Sequence, residues 1–163
     1  ITRVAGELLG YARQYDAAMI EDRKAIELDP ESAGARRQAA RTYLGKKMYP
    51  EAIRELEKSV ELAKGSSQNL GQLGYAYAVG GRRADAQRVL DTLLAQSKKS
   101  FVQPLWVALI YVGLGDKDRA FEWMEKAFEE RSSSMMLIKV APWWDPLRDD
   151  PRYHDLLRRM NLE

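Results

Sequence analysis

The sequence predicts an all-α solenoid of four helical hairpins closed by a C-terminal helical cap, and three observations lead there. The first is the stretch from Ser67 to Ser100, where two helical patterns flank a glycine pair. Leu70, Leu73, Gly74 and Tyr77 share one face of a helix, and Ala86, Val89, Leu90, Leu93 and Leu94 form a second apolar stripe. Gly80 and Gly81 separate them, because glycine is a poor helix former and a good turn residue. The second observation is a shift of 34 residues that lays the chain over itself. It aligns Ala18, Ala52, Ala86 and Ala120; Leu9, Tyr43, Tyr77 and Tyr111; Gly6, Ala40, Gly74 and Ala108; and Ala25, Ser59, Leu93 and Ala127. Small residues are needed where helices cross closely, and a tyrosine fills the gap beside them. The third is a change of character after Ser132, where the pattern stops and tryptophan and proline accumulate.

In chain order, helices are expected over Arg3–Arg13, Asp16–Leu28, Ala33–Lys46, Pro50–Ala63, Gln68–Val79, Arg83–Ser97, Pro104–Leu114 and Lys117–Arg131. The units divide as 1–32, 33–66, 67–100 and 101–132, with a capping segment over 133–163. Pro50 and Pro104 fit as first-turn residues, where the missing N–H costs nothing, and Asp116 fits as an N-cap. In the last segment Met135–Ile138 reads as a short apolar helix. Asp145-Pro146 and Asp150-Pro151 each read as a cap followed by a first-turn proline, and Tyr153–Met160 as an amphipathic helix. An open solenoid must cover its apolar end, and Trp143, Trp144, Leu147, Tyr153, Leu156, Leu157 and Met160 supply the cover.

The period, with L-G-x-x-Y at Leu73, Gly74 and Tyr77 followed by Ala86, resembles the tetratricopeptide repeat, and AIELDP (Ala25 to Pro30) is similar to that family's closing segment. The resemblance covers residues 1 to about 132 and implies a right-handed superhelix and a protein-binding role. Asp22 stands where a large apolar residue is usual, and the later units end in Lys64, Lys98 and Ser132 rather than proline. The run from Gly115 to Leu162 resembles the end of bacterial multidomain regulators, in which such an array follows a winged-helix, Ser/Thr kinase or cyclase-like domain. That resemblance implies a regulatory or scaffolding module cut from a larger bacterial protein.

Composition narrows the function. Lys and Arg total 26 against 24 Asp and Glu, a net charge of +2, which is weak for a nucleic-acid binder. The basic pairs Arg36-Arg37, Lys46-Lys47, Arg82-Arg83, Lys98-Lys99 and Arg158-Arg159 are scattered rather than gathered. There is no cysteine, one histidine (His154), no glycine-rich phosphate loop and no nucleophile with a base beside it. No cofactor or metal and no catalysis are therefore expected. No run reaches membrane-spanning length and no signal pattern is present, so the expected location is the cytoplasm.

The first helix of each unit should line a concave surface. Its groove face carries Arg3, Glu7 and Gly10 in the first unit, then Gly34, Arg37, Arg41 and Leu44 in the second. The third offers Gln68, Gly71, Tyr75 and Ala78, with Gln72 at the edge. One reading makes Arg37 and Arg41, flanked by Gln68, Gln72 and Tyr75, a site for an acidic peptide, since the guanidinium fork can grip a carboxylate in two places. The other leaves the two arginines solvated or paired with acidic neighbours. In the fourth unit Val102, Leu105, Leu109 and Val112 make the helix apolar all round, hence either covered by the C-terminal segment or an apolar floor for a ligand. The partner expected is a protein, peptide or helix; homo-oligomerisation through exposed repeat ends is the alternative.

Overall fold

The computed structural model describes residues 2–162, with side chains from Val4 to Leu162, so the expectation for Arg3 lies outside the described side chains. Eight helices form four hairpins: α1 (Thr2–Tyr11) with α2 (Tyr15–Leu28), α3 (Ala33–Gly45) with α4 (Tyr49–Leu62), α5 (Ser67–Val79) with α6 (Arg83–Ser97), and α7 (Pro104–Leu114) with α8 (Lys117–Glu129). Two 3₁₀ helices, Ser133–Ile138 and Pro142–Leu147, and α9 (Pro151–Arg159) complete the described chain. Consecutive helices pack on their neighbours throughout, giving an all-helical repeat solenoid. Expected helix ends differ from these by a residue or two.

The aligned small residues sit at the crossings. Ala18, Ala52, Ala86 and Ala120 are all fully buried, as are Ala40 and Ala108. α5 and α7 approach closely: a Cβ on Gly71 would lie 2.5 Å from the Cβ of Trp106 and one on Gly74 would lie 2.5 Å from Ile110. Caps fall where the sequence places two of them: Asp116 accepts from the Arg119 N–H and Asp150 from the Arg152 N–H. Ser32 does the same for α3 through the Ala35 N–H. Each hairpin turn needs one left-handed residue, and here register matters. Gly81 and Gly115 take it at φ 82° and 80°, but Arg13 and Lys47 hold the equivalent positions at 60° and 59°.

Two expectations need correction. Asp145-Pro146 is not a helix start: both residues lie inside the second 3₁₀ helix, and the Asp145 carboxylate accepts from Arg13 and Arg148 instead of capping. The short helix expected at Met135–Ile138 is present, as part of the 3₁₀ helix Ser133–Ile138. The 34-residue phase also outlasts Ser132. The second helices start at Tyr15, Tyr49, Arg83 and Lys117, and α9 starts at Pro151, one further period on. The C-terminal segment is thus a fifth unit by length whose first helix is replaced by two 3₁₀ turns; Pro142 and Pro146 remove the donors a continuous helix there would need.

The core is densest at this end. Trp144, Leu147, Ile138, Tyr153 and Leu156 are at most 1 % exposed and share one cluster with α7 and α8. Because Gly71 faces the backbone of Trp106 as well as its Cβ, a methyl group there has no flexible neighbour to displace. Gly71→Ala is expected to cost about 2 kcal/mol and to lower the melting temperature by roughly 4–8 °C in a calorimetric scan. Lys47→Gly, which relieves a left-handed non-glycine residue, is expected to raise stability by about 0.5–1 kcal/mol in the same scan.

Candidate functional site

The arginines of α3 are held by the fold. Arg37 Nη1 donates to Asn69 Oδ1 at 2.8 Å, and Asn69 in turn donates to the Ser59 carbonyl and hydroxyl, at 3.1 and 3.0 Å. Arg41 Nε donates to Gln72 Oε1 at 3.2 Å and Nη1 to Glu7 Oε1 at 3.0 Å. Its guanidinium also lies 5.2 Å from the Trp143 ring centroid, and the side chain is only 9 % exposed. The cause is the register of the array. α1 and α5 each turn a polar residue toward α3, so a long planar cation bridges a junction that small apolar residues would otherwise close.

The C-terminal segment crosses in front of this row. Val102, Leu105, Leu109 and Val112 are all buried, in one cluster with Trp143, Trp144, Ile138 and Leu147. They line the core and not an open groove. Tyr153 anchors the segment by donating its hydroxyl hydrogen to the Ile138 carbonyl at 2.6 Å. The second 3₁₀ helix then reaches the first hairpin, where Arg13 pairs with Asp145 at 3.0 and 2.9 Å. Burial pushes the Asp145 carboxyl up, but hydrogen bonds from Arg13 and Arg148 outweigh it and hold the group below the usual carboxylate range.

What remains of the concave face is a pocket of about 250 Å³. Glu7, Tyr11 and Arg13 from the first hairpin line one side, Gln38, Arg41 and Leu44 of α3 another, Tyr75 and Val79 of α5 a third, and Pro142, Trp143 and Asp145 close it. Tyr15, Lys47 and Tyr49 stand at its edge. Gly45 has a specific part here: a Cβ would sit 2.2 Å from the Tyr15 ring, so only glycine lets that ring lie across the end of α3. Burial pushes the Tyr75 hydroxyl well above the usual tyrosine range, so it remains a donor at neutral pH.

Of the five residues proposed from the sequence for peptide contact, Arg41 and Tyr75 line this pocket and Gln72 lies behind it, hydrogen-bonded to Arg41. Arg37 is turned to Asn69. Gln68 borders a separate depression with Phe101, Gln103, Trp106, Ser133 and Ser134. Sequence reasoning passed over Arg13, Lys47, Tyr15 and Tyr49, although each pair is one period apart. From the sequence Trp143 reads only as cover and Asp145 only as a cap.

Behind Arg41 lies a buried carboxylate. Asp22 is 2 % exposed and takes the place that Leu56, Leu90 and Met124 fill in later units. Its Oδ2 accepts from the Thr42 hydroxyl across the junction, and Gly6 leaves room for Oδ1, which a Cβ there would meet at 2.2 Å. Burial pushes its pKa to about 6, against the opposing pull of Thr42, Arg41 and Gln38.

A family model described as a tetratricopeptide repeat matches residues 105–133, the span that α7 and α8 fill. Together with the all-helical stack, the match supports a tetratricopeptide-type domain. The repeat is of a non-catalytic scaffold type, and at the general level the match suggests a protein–protein interaction module. Comparison with curated proteins gives no match. Among the described residues no helix is long and apolar enough to cross a membrane, and no cluster of His, Cys, Asp or Glu has the form of a metal site.

The Asp22 carboxyl has a folded pKa above its unfolded value, so the native state holds the extra proton between about pH 4 and 6. Its contribution to stability is accordingly greatest at low pH and falls as pH rises through that window. Asp22→Asn is expected to stabilise the protein at pH 7 by about 1–3 kcal/mol and to flatten stability between pH 4 and 6 in urea titrations.

Proposed function

We propose that this chain is a non-catalytic module that captures an acidic peptide by seating one carboxylate-bearing residue in the pocket between α1, α3, α5 and the second 3₁₀ helix. One observation supports the reading: the two carboxylates of the pocket are engaged by Arg41, Tyr11, Arg13 and Arg148, while four of its other donor side chains are not. Glu7 already accepts from Arg41 and Tyr11, and Asp145 from Arg13 and Arg148. The hydroxyls of Tyr15, Tyr49 and Tyr75 and the ammonium of Lys47 make no hydrogen bond or ion pair within the described residues. A ligand that completes such a site brings acceptors, and a carboxylate next to an apolar stem matches hydroxyl donors set among tyrosine and tryptophan rings.

The volume limits the mode. A cavity of about 250 Å³ receives a side chain or a chain end, and an intact helix is too large for it. In this reading Arg41 and Tyr75 act from within the pocket, Gln72 fixes Arg41, and Arg37 and Gln68 serve the surface on either side. The larger bacterial regulatory protein suggested by the Gly115–Leu162 run is the setting in which such capture would connect domains.

The test is fluorescence polarisation with an array of short labelled peptides, each bearing Asp or Glu beside an apolar residue, and a parallel set in which Lys replaces the acid. Acidic peptides are expected to bind the wild type. Lys47→Glu, and Tyr75→Phe combined with Tyr49→Phe, are each expected to weaken binding by about tenfold or more without a change in melting temperature. Equal binding of the lysine set, or indifference to both variants, would remove the proposal.

A further inference from the structure

Units two to four each dock on the unit before them through two positions one helical turn apart on the first helix. These are Gln38 and Thr42 in α3, Gln72 and Ala76 in α5, and Trp106 and Ile110 in α7, and all six are at most 3 % exposed. The contacts behind that burial lie in the preceding unit. Thr42 donates to Asp22 of α2, Gln72 accepts from Arg41 of α3, and Trp106 and Ile110 fill the space that Gly71 and Gly74 of α5 leave open. Counting back one 34-residue period reaches Val4 and Leu8 of α1. Both are apolar, and they are 49 % and 63 % exposed. The pair has the apolar chemistry of the junction made by Trp106 and Ile110, with nothing stacked on it among the described residues.

We infer that the Val4–Leu8 face of α1 is the seat of a further helical hairpin of the same repeat class, one that presents small residues to those two side chains as Gly71 and Gly74 present them to Trp106 and Ile110. The inter-unit contacts of this array join the front of one unit to the back of the one before. A second copy of the chain cannot supply that back surface, because on α7 and α8 it is covered. Ile138, Trp144 and Leu147 are fully buried there, and α9 is tied to α8 by Arg152–Asp118 and Arg159–Glu125, both at 2.8 Å. Threonine or glutamine at the α1 positions, as in α3, would suit solvent; valine and leucine suit a dry crossing. This inference is independent of the pocket reading.

The experiment grafts a copy of residues 69–102 directly ahead of Ile1, which places Val4 and Leu8 where Trp106 and Ile110 stand relative to that segment. Docking is expected to raise the melting temperature by about 5 °C or more, since each added unit gains a nearest-neighbour interface, and to slow amide exchange in α1. Leu8→Glu is expected to abolish both gains while leaving the ungrafted chain within about 1 °C of its own value. Because the chain has no cysteine, a graft carrying cysteine at its copy of Gly74 can be paired with Leu8→Cys, and the two are expected to oxidise to an intramolecular disulfide. No gain in stability and no disulfide, in a graft whose circular dichroism shows it helical, would overturn the inference. So would a stability gain that survives Leu8→Glu. A concentration-dependent dimer of the ungrafted chain that Leu8→Glu dissolves would overturn it too, by seating a second copy on this face.

Discussion

Every junction in the array depends on two helices approaching until one of them has no side chain, or only a methyl group, at the crossing. Gly74 under Ile110, Gly71 under Trp106, and the fully buried alanines at 18, 40, 52, 86, 108 and 120 are the same solution repeated. Dispersion contacts at that distance are individually small and collectively large, and they vanish with a gap of less than an ångström. The period follows from this constraint. A residue inserted or lost anywhere would rotate the next small residue off its crossing, so the chain preserves its count even where the helix itself fails, as it does between Ser133 and Leu147.

Junctions built this way can be apolar or polar, and this protein uses both. Toward the C-terminus Trp106, Ile110, Trp144 and Leu147 make a dry core. Between the first three units Gln38 and Gln72 stand at the position of Trp106 and Thr42 at that of Ile110, and with Asp22 and Arg41 they are joined by hydrogen bonds. A buried polar seam of this kind adds little net stability, because desolvation offsets most of what its bonds return. It does fix direction. Arg41 can satisfy Glu7, Gln72 and the face of Trp143 in only one arrangement, and that arrangement holds the walls of the pocket in place.

The sequence made the helices legible because their signal is periodic and local. Small residues, capping Asp116 and first-turn Pro50 and Pro104 each constrain a few neighbouring residues, and the structure has the elements at those places. The pocket was less legible, for a physical reason. Whether Arg37 and Arg41 are free depends on partners 31 to 34 residues away, among them Asn69, Gln72 and Glu7. Which of the carboxamides around α3 faces the arginines is set by helix rotation, not by spacing. The path of Pro142–Leu147 over the concave face was out of reach altogether, since it rests on where two tryptophans fit. Tyr15 and Tyr49, and Arg13 and Lys47, could have been found by extending the 34-residue alignment from the helices to the turns between them.

The pairing of Arg13 with Asp145 joins positions 132 residues apart in a molecule made mostly of contacts between neighbouring helices. A stacked array without such a tie behaves like a zipper, opening from whichever end is weaker while the rest stays shut. With the last segment laid back against the first hairpin, the two ends are tied to each other directly as well as through the stack between them. Glu7 of α1 connects to Trp143 by way of Arg41, and Arg13 connects to Asp145 directly. Both ends of the chain therefore meet at the pocket, the N-terminal side through Glu7 and Arg13 and the C-terminal side through Trp143 and Asp145.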